Sequence, residues 1–238
     1  MLKSPFEFVK DIESGKHFVL FYENAEYSRS ICFAFFKDGL EKDEDVFYFT
    51  AKEDEDFFKN EFIEKMYGPN VTYEYNNTSN ITFNGKLFHG KNIPSISDIH
   101  DDNTVDDINN EIINMVKNNS YSNNNYSDKQ SPIVTRKNNN SNSTNYTRVL
   151  MVLRCMHKLE TRNQMQYNIS WEKNFRNIKL RQELPNASLI CTYPVENIIK
   201  VLKGESKVYS PWMTDLLEIY DGVIYARNNW TGAAFNFV

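Results

Sequence analysis

Short runs of consecutive apolar and aromatic residues alternate along the chain with longer stretches in which apolar residues recur every three or four positions. The short runs lie between helix-breaking or charged residues and predict strands that are apolar on both faces. The longer stretches predict amphipathic helices. The predicted strands cover residues 17–22, 46–50, 71–75, 148–153, 187–193 and 222–226, and residues 81–88 around Asn84–Gly85 are typical of an added edge hairpin.

Capping residues set the predicted helix boundaries. Ser4-Pro5-Phe6-Glu7 has the arrangement of a capping box and predicts a helix that runs to Glu13 before Gly15. Asn24 is the predicted N-cap, and Gly39 the predicted end, of the second helix. Further helices are predicted over residues 54–67, 104–115, 158–182, 194–203 and 210–220. Because parallel strands need crossover connections, this alternation predicts an α/β three-layer sandwich with a mostly parallel central sheet.

One segment departs from the alternation of strands and helices. Residues 117–147 are dominated by asparagine and serine and contain few apolar residues. Such a segment buries too little apolar surface to offset the entropy that is lost on ordering. We therefore expect a disordered insertion over residues 117–147, within a single domain that spans residues 1–238.

The charge balance narrows the classes of partner. The chain has a formal net charge of -5 and a pI near 5.5, so it lacks the cationic field that nucleic-acid backbones and anionic lipid surfaces require. No apolar run approaches the roughly 20 residues of a membrane-spanning helix, and Pro5, Glu7 and Asp11 stand where a secretory signal would be basic and then apolar. These features predict a cytoplasmic protein without a direct nucleic-acid or membrane partner.

Ligands of such sheets bind beyond the carboxyl ends of the strands. Those ends place at one edge the residues Tyr22, Glu23, Asn24, Thr50, Arg154, His157 and Tyr193. A nucleotide-binding sheet needs a glycine-rich turn and a lysine after its first strand, but the sequence from Tyr22 to Ser30 contains neither, and its glutamates would repel phosphate. The fourth strand is followed by Arg154-Cys155 rather than by an aspartate that could hold magnesium. No cofactor is therefore predicted.

Cysteine and histidine offer a second kind of chemistry. Cys155, His157 and Cys191 could together form a soft metal or redox site, but only three ligands are present. Buried thiols and a hydrogen-bonded histidine are the favoured interpretation. For His17, which opens the first strand, a structural role that satisfies neighbouring backbone is favoured over a catalytic one.

Two aromatic features are interpreted as parts of the core. Trp171–Glu172 is read as a core tryptophan beside a solvated acid. The phenylalanine-rich helical segment 31–36 is read as core rather than as a partner surface.

Several segments, in their order along the chain, resemble the MEDS domain, the sensory domain of methanogen and methylotroph regulators. They are His17–Tyr22, Phe36–Glu41, Asp45–Thr50, Leu189–Pro194 with its Cys-x-Tyr signature, and Asp221–Tyr225. The resemblance implies a RecA/KaiC-like P-loop fold with a degenerate nucleotide loop, used to sense small organic molecules or cellular state. By position it implies binding roles for His17, Tyr22, Cys191 and Tyr193. The stretch Arg148–Leu159 departs from the family because it lacks a Gly-Glu pair.

These observations predict a non-catalytic sensory domain that binds a small organic ligand or signalling partner at the carboxyl edge of the sheet. Its output would pass through a separate regulator or kinase protein, and the sequence leaves open whether the chain forms a homo-oligomer. The candidate ligand-binding residues are His17, Tyr22, Glu23, Asn24, Thr50, Arg154, His157, Cys191 and Tyr193. The alternatives are an interaction or scaffold protein that keeps the fold alone and, less favoured, a residual ATPase or a cysteine-based redox protein.

Overall fold

The computed structural model describes much of the chain, and its elements follow the predicted alternation. The described residues are 3–42, 44–50, 61–62, 64–66, 87–90, 110, 113–114, 117, 147–152, 169–170, 172–175, 181–196 and 211–237. The strands are β1 (His17–Tyr22), β2 (Asp45–Thr50), β3 (Leu87–Gly90), β4 (Thr147–Val152), β5 (Ala187–Pro194), β6 (Gly222–Ala226) and β7 (Gly232–Asn236). The helices are α1 (Pro5–Lys10), α2 (Ala25–Glu41), the single turn α3 (Arg181–Glu183) and α4 (Pro211–Ile219).

The described strands form one sheet in the order β3-β2-β4-β5-β1-β6-β7. Every pairing is parallel except that of β6 with β7, which is antiparallel. β1 lies in the interior of the sheet, with His17 opposite Leu189 of β5 and Phe18 opposite Gly222 of β6. The predicted mostly parallel α/β architecture is confirmed.

Alternate residues of a strand point to opposite faces, and β1 has a different environment on each face. Phe18 and Leu20 belong to a buried core that also includes residues of α1 and α2. His17 and Phe21 lie on the other face, beside β5. On that face Tyr193 of β5 hydrogen-bonds to Glu172, in a helical stretch at 169–170 and 172–174. The two faces therefore differ in chemistry, one aromatic and aliphatic, the other partly polar.

The helix caps agree with the sequence patterns. The Ser4 hydroxyl accepts a hydrogen bond from the N–H of Glu7, and the Glu7 carboxylate accepts one from the N–H of Ser4, which completes the predicted capping box. Residues 31–36 of α2 are all buried, as predicted for core. Phe33 and Phe62 pack edge to face with ring centroids 5.3 Å apart.

Two predicted helix ends were wrong. α1 ends at Lys10 rather than Glu13, because the N–H of Asp11 bonds to the carbonyl of Phe8 and closes the helix. Gly39 does not end α2, which continues to Glu41 because Leu40, at 1% exposure, is buried in the core.

Other predictions differ in part from the described elements. β7 was not predicted at all. At the edge near Asn84–Gly85, β3 pairs parallel with β2, and the rest of the predicted hairpin lies outside the described residues, as does the predicted strand 71–75. Of the predicted insertion, Lys117 is helical and Thr147 begins β4, and the residues between them lie outside the described part. Among the described helices, none has the length and apolarity needed to cross a bilayer.

Candidate functional site

The connection from β1 to α2 is two residues long. β1 ends at Tyr22 and α2 begins at Ala25, so only Glu23 and Asn24 lie between them. The side-chain oxygen of Asn24 accepts a hydrogen bond of 2.8 Å from the N–H of Tyr27. This confirms Asn24 as the N-cap, and the first turn of the helix thus has an acceptor from the chain itself.

Glu23 joins this connection to the hairpin between β6 and β7. Its N–H donates to the carbonyl of Ala226 at 2.9 Å. Its carboxylate accepts hydrogen bonds from the hydroxyl of Tyr225 and, at 3.0 Å, from the N–H of Asn228. The hydrogen bond from Tyr225, followed by that from Asn228 and the charge of Arg227, holds the pKa of Glu23 below its usual range. The exposed carboxylate is therefore ionised at neutral pH.

A titration can test this arrangement. The carboxyl carbon of Glu23, followed by NMR, should show a pKa below that of an ordinary glutamate, and Tyr225→Phe should raise it because the largest stabilising hydrogen bond is lost. Since the folded-state pKa is the lower one, the stabilising effect is present above the unfolded-state pKa of about 4.3 and is lost as the pH falls through the folded-state value. An unchanged pKa in Tyr225→Phe would contradict the hydrogen-bond assignment.

The hairpin turn presents an exposed tryptophan. The N–H of Arg227 donates to the carbonyl of Thr231 at 2.8 Å, and the N–H of Trp230 donates to the carbonyl of Arg227 at 3.3 Å. Trp230 has a φ of 58°, a left-handed conformation that costs a residue other than glycine about 1–2 kcal/mol. Its ring lies 5.2 Å from that of Tyr27 at an angle of 33°, and the residue is 49% exposed. One side of the indole thus stacks on α2 while much of the ring faces solvent.

The remaining candidates of the carboxyl edge have separate environments. Tyr22 is half-buried against the core of α1 and α2, where burial, with smaller effects of Cys32 and Glu196, raises the pKa of its hydroxyl to about 12. Thr50 ends β2 opposite Val152 of β4. Arg154 and His157 lie outside the described residues.

Three of the predicted site residues lie in a buried polar cluster on the face of the sheet opposite α1 and α2. Nε2 of His17 is 3.3 Å from Sγ of Cys191, and the His17 ring packs 4.7 Å from that of Tyr220. The hydroxyls of Tyr193 and Tyr220 both donate to the carboxylate of Glu172. Cluster members are at most 4% exposed.

This placement revises two interpretations made from the sequence. Glu172 is not a solvated acid: it is 1% exposed and accepts two buried hydrogen bonds. His17 opens β1 and therefore lies at the amino end of that strand, away from the carboxyl edge. Its backbone N–H donates to the Asp221 carboxylate at 2.8 Å. Cys191 is buried beside His17, and Cys32 is also a buried free thiol, as predicted for structural cysteines.

Sequence reasoning missed Glu172, Tyr220, Tyr225 and Trp230. A signal existed for Glu172, because it lies three residues from both Ile169 and Phe175, each of them buried, and so falls on the same helical stripe. Cys155 and His157 lie outside the described residues, so their predicted association with Cys191 stays a prediction. Within the described part, no group of three metal-ligating side chains converges.

Comparisons with known proteins give structural matches alone. No family model matches the sequence, and no curated protein matches it. A solved ATPase domain superposes with a TM-score of 0.50 at 10% identity, over 92% of this chain and 71% of that one. A protein of Pyrococcus horikoshii OT3 superposes with a TM-score of 0.45 at 11% identity, over 94% of this chain and 87% of that one. The ATP synthase subunit NeqB of Nanoarchaeum equitans gives 0.43 at 12% identity, over 94% of this chain and 49% of that subunit.

The match to the ATPase domain shows the fold of this chain, a mostly parallel α/β sheet of RecA-like type. The connection after β1 is two residues long, Glu23 and Asn24, and contains neither glycine nor lysine.

Proposed function

We propose that this chain is a non-catalytic sensory domain of the MEDS type. In this proposal it binds a small organic ligand at the carboxyl edge of its sheet, and a separate regulator or kinase protein reads the occupancy. The ligand-binding surface is formed by the β1–α2 connection and the β6–β7 hairpin. Nucleic acid and membranes are not direct partners in this proposal.

One observation carries the proposal: Glu23 stands where a P-loop would cradle phosphate. A P-loop wraps phosphate with backbone N–H groups over several residues and adds a lysine. Here the connection is two residues long, and one of them is a carboxylate held by Tyr225 and Asn228. The side chain of Asn24 already caps the helix. Phosphate would meet a negative charge and a helix terminus that is already capped.

The surrounding structure suits the recognition of a ligand. β1 and β6 lie in the interior of the sheet and β7 pairs with β6 at its edge, so paired strands hold the connection and the hairpin in position. Glu23 and Trp230 are exposed there. A rigid scaffold that presents polar and aromatic groups on loops is the usual arrangement of a binding site.

Thermal unfolding can test the proposal. MgATP and MgGTP should leave the Tm unchanged and release no phosphate above a blank, whereas a panel of small organic compounds should contain a ligand that raises the Tm with concentration. Tyr225→Phe should reduce that rise because it loosens Glu23, and Lys10→Ala, an exposed change on α1, should not. Hydrolysis of either nucleotide would contradict the proposal.

A further inference from the structure

We propose that the ligand of this edge carries an organic cation, held by the Glu23 carboxylate and the exposed indole of Trp230. This inference rests on the proposed function and names the chemical class of its ligand. A carboxylate supplies charge, and an indole face attracts a cation through its ring quadrupole.

The backbone brings the two groups to the same rim of the sheet. The carboxylate of Glu23 is bonded to the N–H of Asn228, which precedes Trp230 by two residues in the same turn. The Trp230 ring stacks on Tyr27, one helical turn beyond Glu23. Glu23 and Trp230 are thus tied together through the hairpin and also through the start of α2.

Glu23 retains capacity for a ligand. Its two oxygens accept one hydrogen bond each, from Tyr225 and from Asn228. A carboxylate offers about four lone-pair positions. The group is exposed, so the remaining positions can accept hydrogen bonds from an ammonium or attract a quaternary ammonium through charge alone.

The conformation of Trp230 suggests a use for its side chain. The turn contains Asn228 and Asn229, the kind of residue that tolerates a left-handed backbone, yet the residue with φ of 58° is Trp230. Strain of this kind is often retained where a side chain has a functional position. Its contact with Tyr27 fixes the ring, and its 49% exposure leaves surface for a ligand.

The charges beside Glu23 along α2 largely neutralise one another. Glu26, in the first turn of α2 with a side chain that is 64% exposed, forms a 3.5 Å ion pair with Lys65. Arg29 and Lys65 also form ion pairs with Glu61, so the charge offered to a ligand here is that of Glu23. The positive charge of Arg227, in the hairpin, repels a cationic ligand. Removal of that charge therefore tests the sign of the charge on the ligand.

The test uses tetramethylammonium as the probe and the indole N–H signals of ¹⁵N-labelled protein as the readout. The chain has three tryptophans, so the signal that disappears in Trp230→Phe identifies Trp230. That signal should shift saturably with tetramethylammonium chloride, but not with sodium chloride or with tert-butanol, a neutral molecule of similar size. Trp230→Leu, read from backbone N–H shifts of the turn, should weaken binding by about 3- to 30-fold.

Charge variants complete the experiment. Glu23→Gln should weaken binding by at least about 5-fold, whereas Arg227→Gln should tighten it because a like charge is removed. Phe235→Leu, at the second exposed large hydrophobic residue of the described part of the chain, should leave the affinity unchanged. Each variant is checked for cooperative thermal unfolding.

Three results would overturn the proposal: no saturable shift, an affinity for tetramethylammonium unaffected by Glu23→Gln, or weaker binding of tetramethylammonium in Arg227→Gln, which is the opposite of what removal of a like charge would do. A neutral or anionic compound that raises the Tm through Tyr225, without any binding of tetramethylammonium, would reject the cation and leave the proposed sensory function standing. Nucleotide hydrolysis would instead reject the sensory function.

Discussion

Replacement of Glu172 by alanine should lower the free energy of unfolding by about 2–6 kcal/mol. The hydroxyls of Tyr193 and Tyr220 both donate to this carboxylate, and all three residues are buried. Alanine would remove the acceptor of both hydroxyls in a place with little access to water, and each unsatisfied buried group costs about 1–3 kcal/mol. Urea denaturation followed by circular dichroism measures the change.

Matched variants separate this effect from a general sensitivity of the helix. Lys173→Ala changes the exposed neighbour of Glu172 and should alter the free energy of unfolding by about 0.5 kcal/mol or less. A triple variant, Glu172→Met with Tyr193→Phe and Tyr220→Phe, removes donors and acceptor together and should be more stable than Glu172→Ala. A loss below about 1 kcal/mol in Glu172→Ala would show that the two hydroxyls find other acceptors.

Most of the sheet could be predicted because parallel strands are buried on both faces. β1, β2, β4, β5 and β6 each appear in the sequence as a short run of mostly apolar and aromatic residues. β7 was missed because it is an antiparallel edge strand of mostly small residues, with only Ala234 buried among its five residues. An edge strand forms because it pairs with its neighbour, here β6, and its own sequence need not be apolar.

The carboxyl edge was predictable for a different reason. In a parallel sheet the residue after each strand lies at a common edge, so Glu23 and Asn24 were identified from strand ends alone. The partners of Glu23 were not, since Tyr225 and Asn228 are more than two hundred residues away in sequence. That contact depends on β1 and β6 being neighbours, which the order of strands along the chain does not specify.

The buried cluster shows where pattern reading fails. A glutamate in an amphipathic helix is normally solvated, and the sequence alone does not show that two tyrosines from other elements supply its hydrogen bonds. His17 and Cys191 meet because β1 pairs with β5 in a register that places Val19 opposite Cys191. Residue type suggested chemistry at both positions, but the strand register places both side chains in the buried cluster rather than at the carboxyl edge of the sheet.

Truncation of Phe36 to alanine should lower the free energy of unfolding by about 3–5 kcal/mol. Phe36 lies on the buried face of α2, is 0% exposed, and packs against the rings of Phe35 and Phe62 at 6.1 and 6.3 Å. The loss combines the transfer of apolar surface with the cavity left between α2 and its neighbours.

The same substitution at Phe235 is the matched control, because that residue is 42% exposed on β7. Phe235→Ala deletes the same atoms but leaves no closed cavity, so it should cost about 1 kcal/mol or less. Urea denaturation of both variants gives the comparison directly. Similar losses at the two positions would mean that α2 does not form the closed core assigned to it, and the rigid support for Glu23, Asn24 and Tyr27 at the start of that helix would then be lacking.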